Sequence, residues 1–359
     1  MSKQFFISYL FSYLFWFGLA MGCLYAAMLE RLTGGQWGIA TRRIFEAGFM
    51  TLPLMALLFF PVVLGLKELY PWTHHSEVLV NPMLQRKALY LNIPAFICRA
   101  VVYFIMWLAM ARSLRRWSLQ QDSSSDPSPS LRARILSGPG IVIAPLIGTF
   151  AFVDWVMSLN PEWSSTIFPL IVIIGQFLTA ISFATVLAVN LRQRPDFMPA
   201  ATTKAFHDLG NLVLAFVMFW AYISFAQYLI IYCANVPRET SWYLQRIHGS
   251  WLWFINLLAL FHFFVPFWLL LFRGSKKNPG RLRVIAGLVF TAHILEVFWL
   301  VTPVLHPGGF HISIWDLVLF LAIGGLWLAL FARNLRRHAL LPQNNPSMEA
   351  ITVRVAHAN

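Results

Sequence analysis

Among the ionisable residues of this 359-residue chain that lie within or at the ends of long apolar runs, eight stand out: Glu46, Arg99, Asp154, His207, Asp208, His262, His293 and Glu296. An ionisable group inside a bilayer costs several kcal/mol unless it is paired or hydrated, so each is a functional candidate. His293 and Glu296 are three residues apart and share one helix face. Imidazole titrates near neutral pH, so a His–carboxylate pair at mid-membrane can accept a substrate hydroxyl proton or hand a proton on. The plain alternative is an interhelical hydrogen bond. Arg99 and Asp154 fall at similar depth on consecutive antiparallel runs. They read as a buried ion pair holding two helices in register, or as an outer proton station. Asp208 follows His207 just before an apolar run and reads as a helix N-cap or, with Glu46, as a proton entrance. Sorted by depth, the residues form a ladder: Glu46 and Asp208, then His262, His293 and Glu296, then Asp154 and Arg99.

Two rival chemistries use the same side chains. His248 and His262 are fourteen residues apart, and His293 and His306 thirteen apart on the following run. Four histidines at that spacing are the pattern of a b-type dihaem cytochrome, although His306 lies between Pro303 and Pro307-Gly308-Gly309. Pro53, Pro145 and Pro266 interrupt apolar runs, as the broken helices of secondary transporters do. The three cysteines, Cys23, Cys98 and Cys233, form no C-x-x-C pair and read as small buried hydrophobes, with no metal site expected.

These residues need elements to hold them, and composition says which. The chain is 58% hydrophobic and 11% charged, against roughly 25% charged in soluble domains. A soluble enzyme, a disordered chain and a disulfide scaffold are excluded. Nine runs long enough to span a bilayer fall at about 6–28, 43–66, 93–112, 138–158, 166–190, 209–232, 247–272, 283–304 and 311–332. The expected fold class is all-α polytopic membrane protein. Bundle one would cover 6–158, bundle two 166–304, with an extra helix at 311–332 and a cytoplasmic tail at 338–359. Asp154 precedes Pro161 by seven residues, as Glu296 precedes Pro303, which suggests that the two bundles are related.

The net charge of +13 would suggest nucleic acid in a soluble protein. Here twenty of the 27 basic residues fall in one set of loops and six in the other, with Arg99 inside a run. That asymmetry is a topology signal: the C-terminus is expected in the cytoplasm, the N-terminus outside, and no nucleic acid is expected. The polar stretch at 118–130 reads as a flexible cytoplasmic loop.

Four ordered segments carry a resemblance. The first runs Phe152-Val153-Asp154-Trp155, Met157-Ser158-Leu159, Pro161, Trp163 and Ser165-Thr166. The second is His207-Asp208-Leu209-Gly210, with Phe219-Trp220-Ala221-Tyr222, Gln227-Tyr228 and Asn235-Val236-Pro237-Arg238-Glu239-Thr240. The third is His262-Phe263-Phe264-Val265-Pro266 with Arg273 and Lys276-Lys277-Asn278-Pro279, and the fourth His293 and Glu296 before Trp299 and Pro303. Together they resemble the NrfD-like membrane subunit of alternative complex III, the bacterial quinol:cytochrome c or oxidase oxidoreductase. The family usually has ten spans, with Asp where Glu296 stands and Glu where Arg238 stands.

The resemblance implies two four-helix bundles in a bacterial inner membrane. It implies partners: a multihaem cytochrome c, an iron–sulfur subunit and a second NrfD-like subunit. It implies no haem, cluster or metal bound by this chain, with quinone or quinol (menaquinol or ubiquinol) as the ligand in question. The family carries a quinone-binding label, yet the resemblance implies that the better-supported quinol pocket lies in the second NrfD-like subunit, next to the iron–sulfur protein. Support of quinol oxidation and proton translocation through the buried acids are therefore competing implied roles, and the chain would not be an enzyme alone. Asp154, His207, Asp208, His293 and Glu296 fall on motif positions; Arg99 and Glu46 match more loosely.

Overall fold

A computed structural model describes residues 2–342. The expected tail therefore lies, from residue 343 on, outside the described residues. Among these, nine helices are long and apolar enough to cross a membrane, and no strand occurs. The chain is an all-α, multi-pass membrane protein. In order, spans 1 to 9 are Lys3–Thr33, Gln36–Leu64, Ile93–Asp122, Ser128–Leu159, Phe168–Leu191, Thr203–Ala234, Trp251–Leu271, Pro279–Val304 and Ile314–Arg336.

Span 1 is apolar on every face, and its most apolar stretch is wholly buried, the mark of a helix enclosed by others. Spans 2, 4, 5, 8 and 9 pack on it. Span 3 packs on spans 2 and 4; spans 6 and 8 pack on span 5, and span 7 on spans 6 and 8. Spans 1 and 5 also pack on each other, and span 9 packs on spans 1 and 2. Polar contacts fix that last register. Ser8 Oγ donates to Asp316 Oδ1 (2.5 Å), Asp316 completes a capping box with Ser313, and Trp16 Nε1 donates to the Phe320 carbonyl (3.1 Å). Gly324 admits the Trp16 ring, since a Cβ there would lie 2.4 Å from its Cζ2.

Span 2 is broken near Pro53 and Pro61, because proline removes a helix donor and clashes with the preceding turn. Val62 N–H turns to the Phe59 carbonyl, and Tyr9 of span 1 donates to the Leu58 carbonyl (2.7 Å). Tyr13 donates likewise to Met55 (3.1 Å). The hydroxyls of span 1 thus satisfy carbonyls that a regular helix would have satisfied itself.

Four expectations need correction. Of the three cysteines only Cys23 is buried; Cys98 and Cys233 lie exposed on the surfaces of spans 3 and 6, where an apolar side chain can face lipid instead of a packed core. The stretch 118–130 is mostly helix: span 3 runs on to Asp122 and span 4 starts at Ser128. Ser118 and Gln121 face inward and are buried, and Gln121 Oε1 accepts from Ser130 N–H, so polar residues here serve packing rather than solvation. Asp208 is not the N-cap of span 6. That role belongs to Thr202, whose hydroxyl accepts from Ala205 N–H (3.0 Å), because the helix starts six residues before its apolar run. The segment before span 7 holds an amphipathic helix, Pro237–Ile247, whose 11 residues are too few to cross a bilayer; His248 terminates it and lies outside span 7.

Candidate functional site

The structure brings three of the eight candidates together between spans 6, 7 and 8. Span 8 places His293 Nδ1 2.8 Å from Glu296 Oε2, one turn along the same face. Span 6 supplies Trp220, whose indole N–H donates to Glu296 Oε1 (2.7 Å). Span 7 widens to a π-helix over Leu260–Phe264, a local widening frequent at functional sites. There it turns His262 inward, with Nδ1 3.7 Å from Glu296 Oε2 and its ring edge-on to Trp220 at 4.2 Å. All four side chains are buried.

Span 5 contributes an absence of side chain. A Cβ on Gly175 would lie 2.7 Å from His293 Cε1 and 3.4 Å from Glu296 Oε2. The expected result for Gly175→Val is therefore displacement of the His293 ring from Glu296. Histidine ring NMR shifts or the vibrational signature of the carboxylate report it, and an unchanged signature means that the helices give way instead.

Each Glu296 oxygen has one close donor or ring nitrogen. His262 has neither ring nitrogen bonded among the described residues. A fully buried imidazole without partners is rare, because the desolvated group loses its water for nothing in return. It lies behind Glu296, with Nδ1 3.7 Å from the carboxylate. Glu296 and Trp220 line a cleft of about 600 Å³ whose other walls are almost wholly apolar and aromatic, among them Phe225, Tyr228, Phe263 and Phe267. Tyr222, Phe225 and Phe264 line it and are also exposed on the outer face of the helices, so the cleft opens sideways between spans 6 and 7.

The helix Pro237–Ile247 adds Trp242 and Tyr243 to the far wall. Its anchor is Arg246, buried beneath the Trp242 ring (3.9 Å) and donating to the Trp242 (3.1 Å) and Leu300 (3.0 Å) carbonyls. Burial pushes this guanidinium down to about 9, since no carboxylate compensates it.

The donor atoms of His262, His293 and Glu296 lie within 4.8 Å of one another. A divalent cation there would meet a single carboxylate and leave net charge in an apolar wall, which is costly. Glu296 also sits against both imidazoles, where the iron of a bis-histidine haem would have to lie, and His306 Nε2 is engaged with Gln4 Oε1 (2.7 Å).

The other candidates stand apart, in three places. Arg99 grips Asp154 with two bonds of 2.9 Å, Tyr103 adds a third (3.0 Å), and Arg99 lies over the Tyr90 ring. Asp154 is fully buried, and the pair ties span 3 to span 4. Glu46 sits in a buried network at the arginine-rich end, accepting from Arg31 (2.9 Å), Arg43 (2.6 Å) and Arg115 (2.5 Å). Arg43 also pairs with Asp122, and Arg42 with Glu30 (2.6 Å). His207 and Asp208 are partly exposed, 3.9 Å apart, with Asn211 on His207 (3.3 Å). Among the described residues, no hydrogen bond joins these places into one ladder.

Trp220, Gly175 and Gln176 were not picked out by charge or spacing. Trp220 lies inside one of the segments that carry the resemblance. Nothing marks Gly175 or Gln176 in the sequence; Gln176 lies with His293 along a void of about 10 Å³, and its Oε1 has no partner among the described residues.

Compared with protein-family models and with curated proteins, the chain finds no match in either.

Proposed function

We propose that this chain is the NrfD-like membrane subunit of an alternative-complex-III-type quinol oxidoreductase, and that the cleft between spans 6, 7 and 8 receives the quinol. One observation carries the reading: Glu296, bonded to His293 and with the unpartnered imidazole of His262 3.7 Å behind it, is the acidic group on the wall of an aromatic cleft that opens toward lipid. An isoprenoid-tailed quinol needs those features in that order. Its tail takes the apolar walls and the lateral mouth, and its ring lies among aromatic side chains. One hydroxyl donates to Glu296.

Oxidation of a quinol to a quinone releases two electrons and two protons. The His293–Glu296 pair takes one proton and His262 the other. Trp220 holds Glu296 in place through the second oxygen. The electrons leave to redox groups of the partner subunits, a multihaem cytochrome c and an iron–sulfur protein, beside a second NrfD-like subunit. The arginine-rich network faces the cytoplasm of a bacterial inner membrane, with the N-terminus on the outer side.

The test is photolabelling of the purified complex with a photoreactive quinone analogue. Label is expected in peptides of spans 6 and 7 around Met218–Tyr228 and Ile255–Phe267. Ala259→Phe, which fills the cleft, is expected to abolish it. Label spread over all spans, or unaffected by Ala259→Phe, removes the cleft as the quinol site.

A further inference from the structure

A second cavity, of about 520 Å³, lies at the end opposite the arginine-rich network, between the segment before span 3 and the junction of spans 4 and 5. Its lining divides into two zones. One is polar: Arg86, Lys87 and the run Ser164, Ser165 and Thr166. The other is apolar: Leu91, Val153, Met157 and Pro169.

The charge in the polar zone is unbalanced. Arg86, Lys87 and the neighbouring Arg238 form no ion pair among the described residues. Lys87 Nζ donates to the Pro161 carbonyl (2.6 Å), and Arg238 donates to the carbonyl of Glu162 rather than to its carboxylate. The Glu162 carboxylate accepts from Asn81 (2.7 Å) and lines a separate cavity. Burial and then the Arg238 charge hold the Lys87 ammonium below its ordinary range, so these cations sit close enough to disfavour each other. An anion between them would offset that cost.

The surroundings indicate where such an anion comes from. Leu79 and Val80, on the short helix His75–Val80, and Leu89, in the turn after the helix Pro82–Lys87, are exposed by 61%, 81% and 93%. Apolar side chains that project this far at the end of a bundle belong in a bilayer interface. The lower wall continues onto span 4, where Leu146 and Phe150 are exposed on the lateral surface. A headgroup-level cationic zone above an apolar wall has the shape of a lipid rather than of a soluble anion.

We propose that this cavity is a binding site for the phosphodiester of an anionic phospholipid, with Arg86 and Lys87 on the phosphate, the hydroxyl run 164–166 beside it, and an acyl chain along Val153 and Met157. The site is independent of the quinol reading, because none of its residues lines that cleft.

The test is native mass spectrometry of the full chain in mild detergent, with phosphatidylglycerol, phosphatidylcholine or inorganic phosphate added. Phosphatidylglycerol is expected to be retained about thirtyfold better than phosphatidylcholine, as two basic residues near an anionic headgroup would give. Arg86→Gln with Lys87→Gln is expected to erase that preference. Arg86→Lys with Lys87→Arg is expected to keep it, which separates loss of charge from loss of fold. Equal retention of the two lipids by the parent chain overturns the proposal, as does a preference that survives the double glutamine variant. Displacement of phosphatidylglycerol by millimolar phosphate reassigns the site to a free anion and overturns the lipid source.

Discussion

Glu296→Gln is expected to lower quinol oxidation by the assembled complex by about 10²–10⁴-fold, the usual worth of a positioned proton acceptor. The substitution keeps the shape of the side chain, and its amide oxygen can still accept from Trp220, so the helices have no reason to part. What is lost is the anionic oxygen 2.8 Å from His293 Nδ1. Glu296→Asp keeps the charge but shortens the reach by one methylene, and is expected to fall between parent and Gln. Turnover and proton translocation are measured together, since the resemblance supports a proton-conducting role as well. Loss of both places the residue in quinol oxidation. Loss of translocation with turnover intact moves Glu296 into a proton path instead. If neither changes, the carboxylate is a structural hydrogen bond and the cleft has lost its proton acceptor.

The number and class of the spans were legible in the sequence because lipid leaves little choice: a long apolar run must satisfy its backbone internally and becomes a helix. The same rule hid the helix ends. Hydropathy reports where the apolar run stops, whereas the helix stops where its last carbonyls find partners. Span 3 therefore runs ten residues past the expected 112, to Asp122, carrying Arg115 and Ser118 into the network around Glu46. The proximity of His293 and Glu296 followed from helical spacing alone. The common depth of His262 was also legible, but not the π-helical turn that carries it, which has no residue signature. Gly175 shows the same limit. Its role is to be missing a side chain at one crossing of spans 5 and 8, and a single glycine in an apolar run carries no sign of that. The pairing of Arg99 with Asp154 was readable because two charges at equal depth on adjacent helices have few other ways to be neutralised. The partners of Glu46 were not legible for the converse reason. The sequence set it beside Asp208 as a proton entrance, whereas its partners come from spans 1 and 3 as well as from its own helix.

That network makes Glu46 the position where one substitution should cost the most stability. Four guanidinium groups, of Arg31, Arg42, Arg43 and Arg115, meet three carboxylates, of Glu30, Glu46 and Asp122. Glu46 is the hub: it contacts three of the four cations and is 1% exposed. Glu46→Gln leaves those cations buried with two acids among them, and breaking a buried ion pair from one side costs about 3–5 kcal/mol. The expected result is a large drop in melting midpoint and in yield of folded protein from detergent. Adding salt should barely change it, because buried charges are little screened. A second substitution that also removes an unmatched cation, Arg115→Leu, is expected to recover part of the loss, although Arg115→Leu alone destabilises. Recovery of that kind distinguishes charge imbalance from poor packing, since a packing defect would deepen with each change. If Glu46→Gln melts with the parent, the network holds no net stability. Spans 1, 2 and 3 would then be joined at this end by their apolar contacts alone.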